Sequence, residues 1–229
     1  MCGRFSLAVS PEDLASHFSV AEVPTLSPRY NIAPSQPVLA VQEADSGARE
    51  ITHFRWGLVP SWSKAFGQGW INARAETAAE KPSFKAALRR RRCLIPTDGF
   101  YEWKGSGKRK QPYFIHLHTR PLFAFAGIWD HWQGADGSEF NSCAILTTQS
   151  HGPIQELHPR IPMILNPEAY TQWLDRQVQD PRDLAFLWET AYPQELKFYP
   201  VSTLVNSPKH EDPECRQPLD PGLLQNALE

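Results

Sequence analysis

The sequence predicts an α+β protein in which many short, mainly antiparallel strands form the core and a few short helices flank it. Three observations carry this expectation. The chain has 229 residues with 21 Pro and 13 Gly, so turns are frequent and long helices are disfavoured. Eight Trp, 12 Phe and 6 Tyr supply the bulky side chains that fit a pleated, half-buried surface. Four successive apolar segments, CLIPTDGFYEW, PYFIHLH, PLFAFAGIW and FNSCAILTT, read as consecutive strands with glycine-containing hairpin tips at Gly105-Ser106-Gly107 and at 134–137. The length suits one domain with a sizeable core, and neither an internal repeat nor a linker divides it.

The remaining elements follow in chain order. Ser10-Pro11-Glu12-Asp13 offers a cap, a first-turn proline and two acids, with Leu14 and Phe18 on one face, so a short helix starts there. Pro24, Pro28, Pro34 and Pro37 interrupt regular structure, and RYNIAPSQP reads as a loop. Segments 38–41 and 51–59 flank a polar turn and predict a hairpin. PSWSKAFGQGWINARAET follows, dense in Trp and Gly. Phe84, Ala87 and Leu88 cover one helical face, ending in the cations Arg89, Arg90, Arg91 and Arg92. That run is either a solvated helix end or a phosphate-contacting patch. Asn166-Pro167-Glu168 and Asp180-Pro181-Arg182-Asp183 each open a short helix with a cap and a proline. Residues 208–229 read as a polar tail behind a domain spanning 1–207.

Composition excludes several function classes. Hydrophobic residues make up 41% and charged residues 21%, ordinary values that argue against disorder, collagen and coiled coil. The apolar stretch 122–129 falls far short of the roughly 20 residues a membrane span needs, and the N-terminus lacks the pattern of a signal peptide. A cytoplasmic protein with no membrane partner is the expectation. Cys2, Cys93, Cys143 and Cys215 are too widely spaced for a CxxC metal clamp, so neither structural metal nor a disulfide scaffold is expected. A net charge of −2 gives no global attraction to nucleic acid, and such a role would need a local basic patch.

Cys2 is the most informative position. A small residue after the initiator favours removal of Met1, which leaves one residue holding two nucleophiles. The α-amine titrates near about 8 and the thiol near about 8.5 in reference compounds. A 1,2-aminothiol can capture an aldehyde as a Schiff base and close it to a thiazolidine, or it can attack an amide with the thiol while the amine acts as base. In the segment 72–77, strand alternation would put Asn72, Arg74 and Glu76 on one side, offering an amide and a phosphate-binding fork. Glu102 lies between Tyr101 and Trp103, where desolvation would raise its pKa toward proton-shuttling range. His158, in a proline-rich loop with Arg160 close by, has the natural shuttle chemistry. Trp62 and Pro34 sit in loops where apolar groups can stack on or wedge between bases, although core packing is the plainer role for a Trp. Lys104, Lys108, Arg109 and Lys110 read as a solvated hairpin tip.

Together, MCGRF, RYNIAP, WGLVPSW, INARAET, CLIPTDGFYEW, QPYFIHL and HPRIPMIL, in this order, resemble the SRAP (SOS-response-associated peptidase) family from Cys2 to about Ser207. The resemblance implies a single compact fold around a barrel-like β core, with a positively charged groove for single-stranded DNA. It implies that the protein senses abasic sites, forming a covalent thiazolidine crosslink between Cys2 and the ring-opened aldehyde and so shielding the lesion during replication and the damage response. This is lyase-like chemistry, with cysteine-type removal of Met1 as an associated activity. By motif, the catalytic residues would be Cys2, Asn72, Glu102 and His158. Arg4, Arg74 and Arg160 would contact phosphate, and Pro34 and Trp62 would belong to loops that pry the strand apart, Ser63 standing where relatives can carry a second Trp. No cofactor or metal is implied; the partner is single-stranded DNA containing abasic sites, bound by a monomer at the nucleoid. Two other readings stay open: a thiol peptidase without a DNA role, and a noncovalent reader of modified bases.

Overall fold

The apolar segments after residue 92 build the centre of the molecule. A computed structural model describes residues 2–64, 66–105, 110–189 and 196–220. In chain order the first strands are β1 (Phe5–Leu7), β2 (Arg29–Ile32), β3 (Pro37–Glu43), β4 (Arg49–Trp56), β5 (Asn72–Arg74) and β6 (Arg92–Thr97). The later ones are β7 (Gly99–Lys104), β8 (Gln111–Leu117), β9 (Phe123–Gln133), β10 (Glu139–Gln149), β11 (Arg160–Pro162), β12 (Ile164–Leu165) and β13 (Leu196–Pro200). Short helices are α1 (Pro11–Phe18), α2 (Ala75–Ala78), α3 (Lys85–Arg90), α4 (Tyr170–Leu174) and α5 (Ala185–Glu189). None of the described helices is long and apolar enough to cross a membrane.

Five strands close into a small barrel. β4 pairs with β3, β3 with β6, β6 with β9 and β9 with β10, all antiparallel, and β10 returns to β4 in parallel. The expected barrel-like, mainly antiparallel core is therefore present, with one parallel seam. β5 extends β10 in parallel, while β11 and β12 add antiparallel to β10 and β9. A second sheet, ordered β13-β8-β7-β1-β2, is antiparallel throughout. Aromatic contacts join it to the barrel: the Phe5 ring lies 5.1 Å from Trp56 and 5.9 Å from Phe125, and Phe100 lies 5.7 Å from Phe125, all edge to face.

Local chemistry explains the joints. In α1 the Ser10 hydroxyl accepts from the Asp13 amide at 3.0 Å, and Leu14 and Phe18 are fully buried, as the capping pattern predicts. CLIPTDGFYEW, expected as one strand, is two: it leaves the barrel at Asp98 and enters the second sheet at Gly99. Asp98 takes the Ala8 amide at 2.9 Å, the Arg216 guanidinium at 2.7 Å and the Ser6 hydroxyl. Gly99 is required there because a Cβ would stand 2.1 Å from the Phe114 ring. RYNIAPSQP, expected as a loop, contributes β2 through Arg29–Ile32, because β1 offers it a free edge.

The arginine run at the end of α3 is divided. Arg91 pairs with Asp130 at 3.0 Å, and buried Arg92 donates to the carbonyls of Leu88, Arg89, Trp173 and Asp175. Only Arg89 and Arg90 remain at the surface. The segment from residue 208, read as a polar tail, packs over its first part. Glu211 pairs with Arg29 at 3.0 Å, Cys215 is fully buried, and the Leu219 amide donates to the Pro200 carbonyl at 2.9 Å. Charged side chains there satisfy buried partners, which polarity along the sequence cannot reveal. The Ser106-Gly107 part of the expected hairpin tip, with Lys108 and Arg109, lies outside the described residues, as do Met1 and 221–229.

Candidate active site

The site forms where β1 leads away from the N-terminus between the two sheets. The pairing of Phe5 with Phe100, together with the Tyr101 amide donating to the Arg4 carbonyl at 3.0 Å, runs residues 2–4 alongside the outer part of β7. Cys2 is thereby set near Glu102, whose negative charge acts on its thiol. From the other side, Asn72 at the start of β5 donates through Nδ2 to the Cys2 carbonyl at 2.8 Å. The Asn72 Oδ1 atom is buried and accepts no hydrogen bond among the described residues, so it is available to an incoming donor.

Electrostatics single out Glu102. It is 3% exposed, and burial pushes its carboxyl up to about 7, with nearby positive charge, including Lys110, pulling the other way. A group with that value gives and takes protons equally well at neutral pH. Cys2 is fully buried, and burial, reinforced by the Glu102 charge, raises its thiol well above the usual range. The thiol is therefore protonated at neutral pH, with Sγ 3.6 Å from the Arg4 carbonyl. His158 precedes β11, where the Arg160 amide donates to Nδ1 at 3.0 Å and the Arg160 carbonyl lies 2.9 Å from the same nitrogen. A neutral ring protonated at Nδ1 donates to the Arg160 carbonyl and leaves Nε2 to take a proton, and the protonated ring keeps the same donation, so the orientation survives a change of charge. Burial, with the charges of Arg160 and Lys110, lowers its pKa despite the carbonyl contact, which leaves the ring neutral and basic at pH 7. Glu102 and His158 line one hollow of about 370 Å³ together with Trp103, Lys110 and Asn206.

The arginines differ. Arg4 donates to Asn31 Oδ1 at 2.8 Å and to the carbonyls of Val205 at 2.7 Å and Asn206 at 3.3 Å. Arg160 forms a bidentate pair with Glu76, at 2.8 and 3.2 Å, and also donates to Thr147. Arg74 is exposed, and its side chain has no hydrogen bond or ion pair among the described residues. The expected alternation of Asn72, Arg74 and Glu76 on one strand face stops at Arg74, because Glu76 lies on α2. Glu76 nonetheless meets the site's periphery through Arg160.

Trp62 does not pack in the core; it is 61% exposed. Phe66 and Trp70, which the sequence did not single out, are exposed in the same 57–70 loop, and Trp70 stands two residues before Asn72. The loop is pinned by backbone at Gly57 and Gly69, each with positive φ, where added Cβ atoms would come within 2.4 Å of the facing segment. Arg55 donates to the Gly57 and Gln68 carbonyls and to the Ser35 hydroxyl, which ties this loop to the turn carrying half-buried Pro34. The density of Trp and Gly was the available signal for such a loop. Lys110 and Asn206 are the other residues missed. Lys110 resembled a solvated hairpin tip, and Asn206 lies in VSTLVN, more than a hundred residues from Glu102.

Comparison with known proteins gives the family. The family model described as SOS response associated peptidase (SRAP) matches residues 1–208. Abasic site processing protein YoqW of Bacillus subtilis (strain 168) is 41% identical over 220 residues, 93% of this chain and 98% of the relative. Abasic site processing protein HMCES of Gallus gallus is 35% identical over 229 residues, 86% of this chain and 68% of the relative. Among solved structures, a protein of Bacteroides thetaiotaomicron superposes with a TM-score of 0.83 at 25% identity, covering 96% of this chain and 100% of that one. The family match spans residues 1–208 and the relatives align over most of the chain, and the chain belongs to the SRAP family.

Proposed function

We propose that this protein senses abasic sites in single-stranded DNA and caps them through a covalent thiazolidine at Cys2, once Met1 has been removed. The observation that carries the reading is the placement of Cys2, held by Asn72, beside a buried carboxyl whose pKa is about 7. The names of the relatives, abasic site processing proteins, support the DNA-processing role.

The chemistry balances with the residues present. His158 takes the proton of the C1′ hydroxyl of the closed sugar and delivers it to the ring oxygen, opening the aldehyde. The neutral Cys2 amine adds to that carbon, and protonated Glu102 supplies the proton with which the carbinolamine loses water. The thiol then adds to the resulting iminium carbon, its proton returning to ionised Glu102 while the nitrogen keeps its own, and the sum is protein plus DNA less one water. A buried, protonated thiol favours this amine-first order and disfavours direct thiolate attack on an amide. Asn72 Oδ1 would accept from the amine and hold it toward the sugar. Arg74 offers an uncommitted guanidinium to phosphate; Arg4 retains two of its five N–H groups, and Arg160 would exchange Glu76 for phosphate. Trp62 and the Pro34 turn would stack against the strand flanking the lesion. In this reading the protein acts as a monomer in the cytoplasm, at the nucleoid.

The test incubates protein confirmed to begin at Cys2 with a single-stranded oligonucleotide carrying one abasic site, and in parallel with a tetrahydrofuran analogue that cannot open. The expected result is a denaturation-stable adduct of the summed mass less one water, absent with the analogue and absent for Cys2→Ala. An adduct that persists in Cys2→Ala refutes the chemistry; no adduct with the abasic strand refutes the covalent role and leaves the noncovalent and peptidase readings.

A further inference from the structure

The segment 203–207 closes one side of the hollow, and its attachment fixes the direction of one amide. The indole Nε1 of Trp103 donates to Asn206 Oδ1 at 2.7 Å. An indole N–H can only donate, so the oxygen of Asn206 must face Trp103 and its NH2 group must face away. No hydrogen bond from that NH2 is made among the described residues, and Asn206 lines the hollow shared with Glu102, His158 and Lys110. Arg4 locks the backbone beneath it through the carbonyls of Val205 and Asn206, and Asn31 Nδ2 adds a second hold on the Val205 carbonyl at 3.2 Å. The amide is therefore presented by a rigid frame rather than by a loose loop.

Lys110 stands at the same hollow and has no ion pair among the described residues. The other titratable groups there carry little opposing charge at pH 7: Glu102 is half protonated, and His158 is neutral. A lysine ammonium lining the same hollow as an unoccupied amide NH2, with the carboxyl there half neutralised, suits an anion with several acceptor oxygens. The strand that brings an abasic sugar to Cys2 carries such a group on either side of the lesion.

We propose that Lys110 and Asn206 bind one phosphodiester flanking the abasic sugar, Asn206 donating through Nδ2 and Lys110 through its ammonium, with Arg4 and Trp103 positioning Asn206. The proposal rests on the DNA-capping reading, and it is tested on binding rather than on crosslinking so that the two can fail separately.

Binding of a single-stranded oligonucleotide carrying one tetrahydrofuran site is measured over a range of salt for the wild type, Asn206→Asp, Asn206→Ala, Lys110→Ala and Lys110→Arg, all beginning at Cys2. Asn206→Asp keeps an oxygen for the Trp103 N–H but replaces the NH2 by charged oxygen, so it should weaken binding more than Asn206→Ala does. Lys110→Ala should bind roughly threefold to tenfold more weakly and flatten the slope of log K against log salt by about 0.7, and Lys110→Arg should restore the slope. If Asn206→Asp matches the wild type while Asn206→Ala is weaker, Asn206 only props Trp103 and the proposal is overturned. An unchanged salt slope in Lys110→Ala overturns it equally. Both residues are exposed, and unchanged thermal unfolding midpoints establish that folding is intact. Wild-type protein that binds this oligonucleotide but forms no adduct with the abasic strand would sink the capping reading and leave the phosphate contact standing.

Discussion

Replacing Glu102 by Gln separates what the carboxyl does for chemistry from what it costs the fold. Its pKa is about 7 in the folded protein against 4.5 for the free side chain, with burial as the main cause. The native state therefore binds the proton more tightly than the unfolded chain, and stability falls as pH rises between those two values. A tenfold difference in proton affinity corresponds to about 1.4 kcal/mol, so the rise from 4.5 to about 7 removes about 3 kcal/mol once the pH exceeds the folded value. At about pH 5 less than about 1 kcal/mol of that loss has appeared. Glutamine has nearly the same shape and never ionises. Urea unfolding of both proteins at about pH 5 and about pH 8 should show Glu102→Gln gaining on the wild type by roughly 2 to 3 kcal/mol across the interval. The same variant should form the abasic adduct roughly a hundredfold or more slowly, having lost its proton carrier. Stability differences that stay constant between the two pH values would refute the burial argument and, with it, the assignment of Glu102 as an acid and base near neutrality.

Two further substitutions probe the surroundings. Trp62→Ala removes a 61% exposed ring, so its unfolding free energy should stay within about 0.5 kcal/mol of wild type, while fluorescence anisotropy should show single-stranded DNA binding weakened by about 1 to 3 kcal/mol. Gly99→Ala places a methyl 2.1 Å from the Phe114 ring, and urea unfolding should show a loss of about 1 to 3 kcal/mol; an unchanged midpoint would mean that β7 and β8 can move apart freely.

On the proposed reading, the arrangement also explains how Cys2 would serve as a reactive centre at the N-terminus without fraying. Two residues, Gly3 and Arg4, separate Cys2 from β1, and the segment has three anchors in different parts of the chain. The Cys2 carbonyl is held by Asn72 of β5, the Arg4 carbonyl by the Tyr101 amide of β7, and the Arg4 guanidinium by Asn31 and the 205–206 backbone. Termini are ordinarily poorly ordered unless tied down, and here barrel, second sheet and C-terminal segment each supply a tie. The proposed phosphate contacts on such a frame would add affinity without reading sequence, which suits a lesion that has no base to read.

Much of this was written locally in the sequence. The Ser10-Pro11 cap, the hairpin of β3 and β4, and the strands from β8 to β10 follow from residue spacing, because neighbouring side chains decide capping, alternation and turns. The chemical types at Cys2, Glu102 and His158 were legible for the same reason, since an aminothiol, a carboxyl between aromatics and a loop imidazole declare their reactivity without a partner. Tertiary structure decided the rest. That CLIPTDGFYEW divides at Asp98, that Arg91 and Arg92 serve buried partners, and that the segment after 208 packs down all depend on groups distant in sequence. The proton affinity of Glu102 belongs to the same class: Tyr101 and Trp103 suggest desolvation, but its extent is set by how β7 is covered by residues 2–4 and by segment 203–207. Asn206 and Lys110 became part of the site only because folding brings these segments to one hollow, and no property of either residue in its own neighbourhood foretells that meeting.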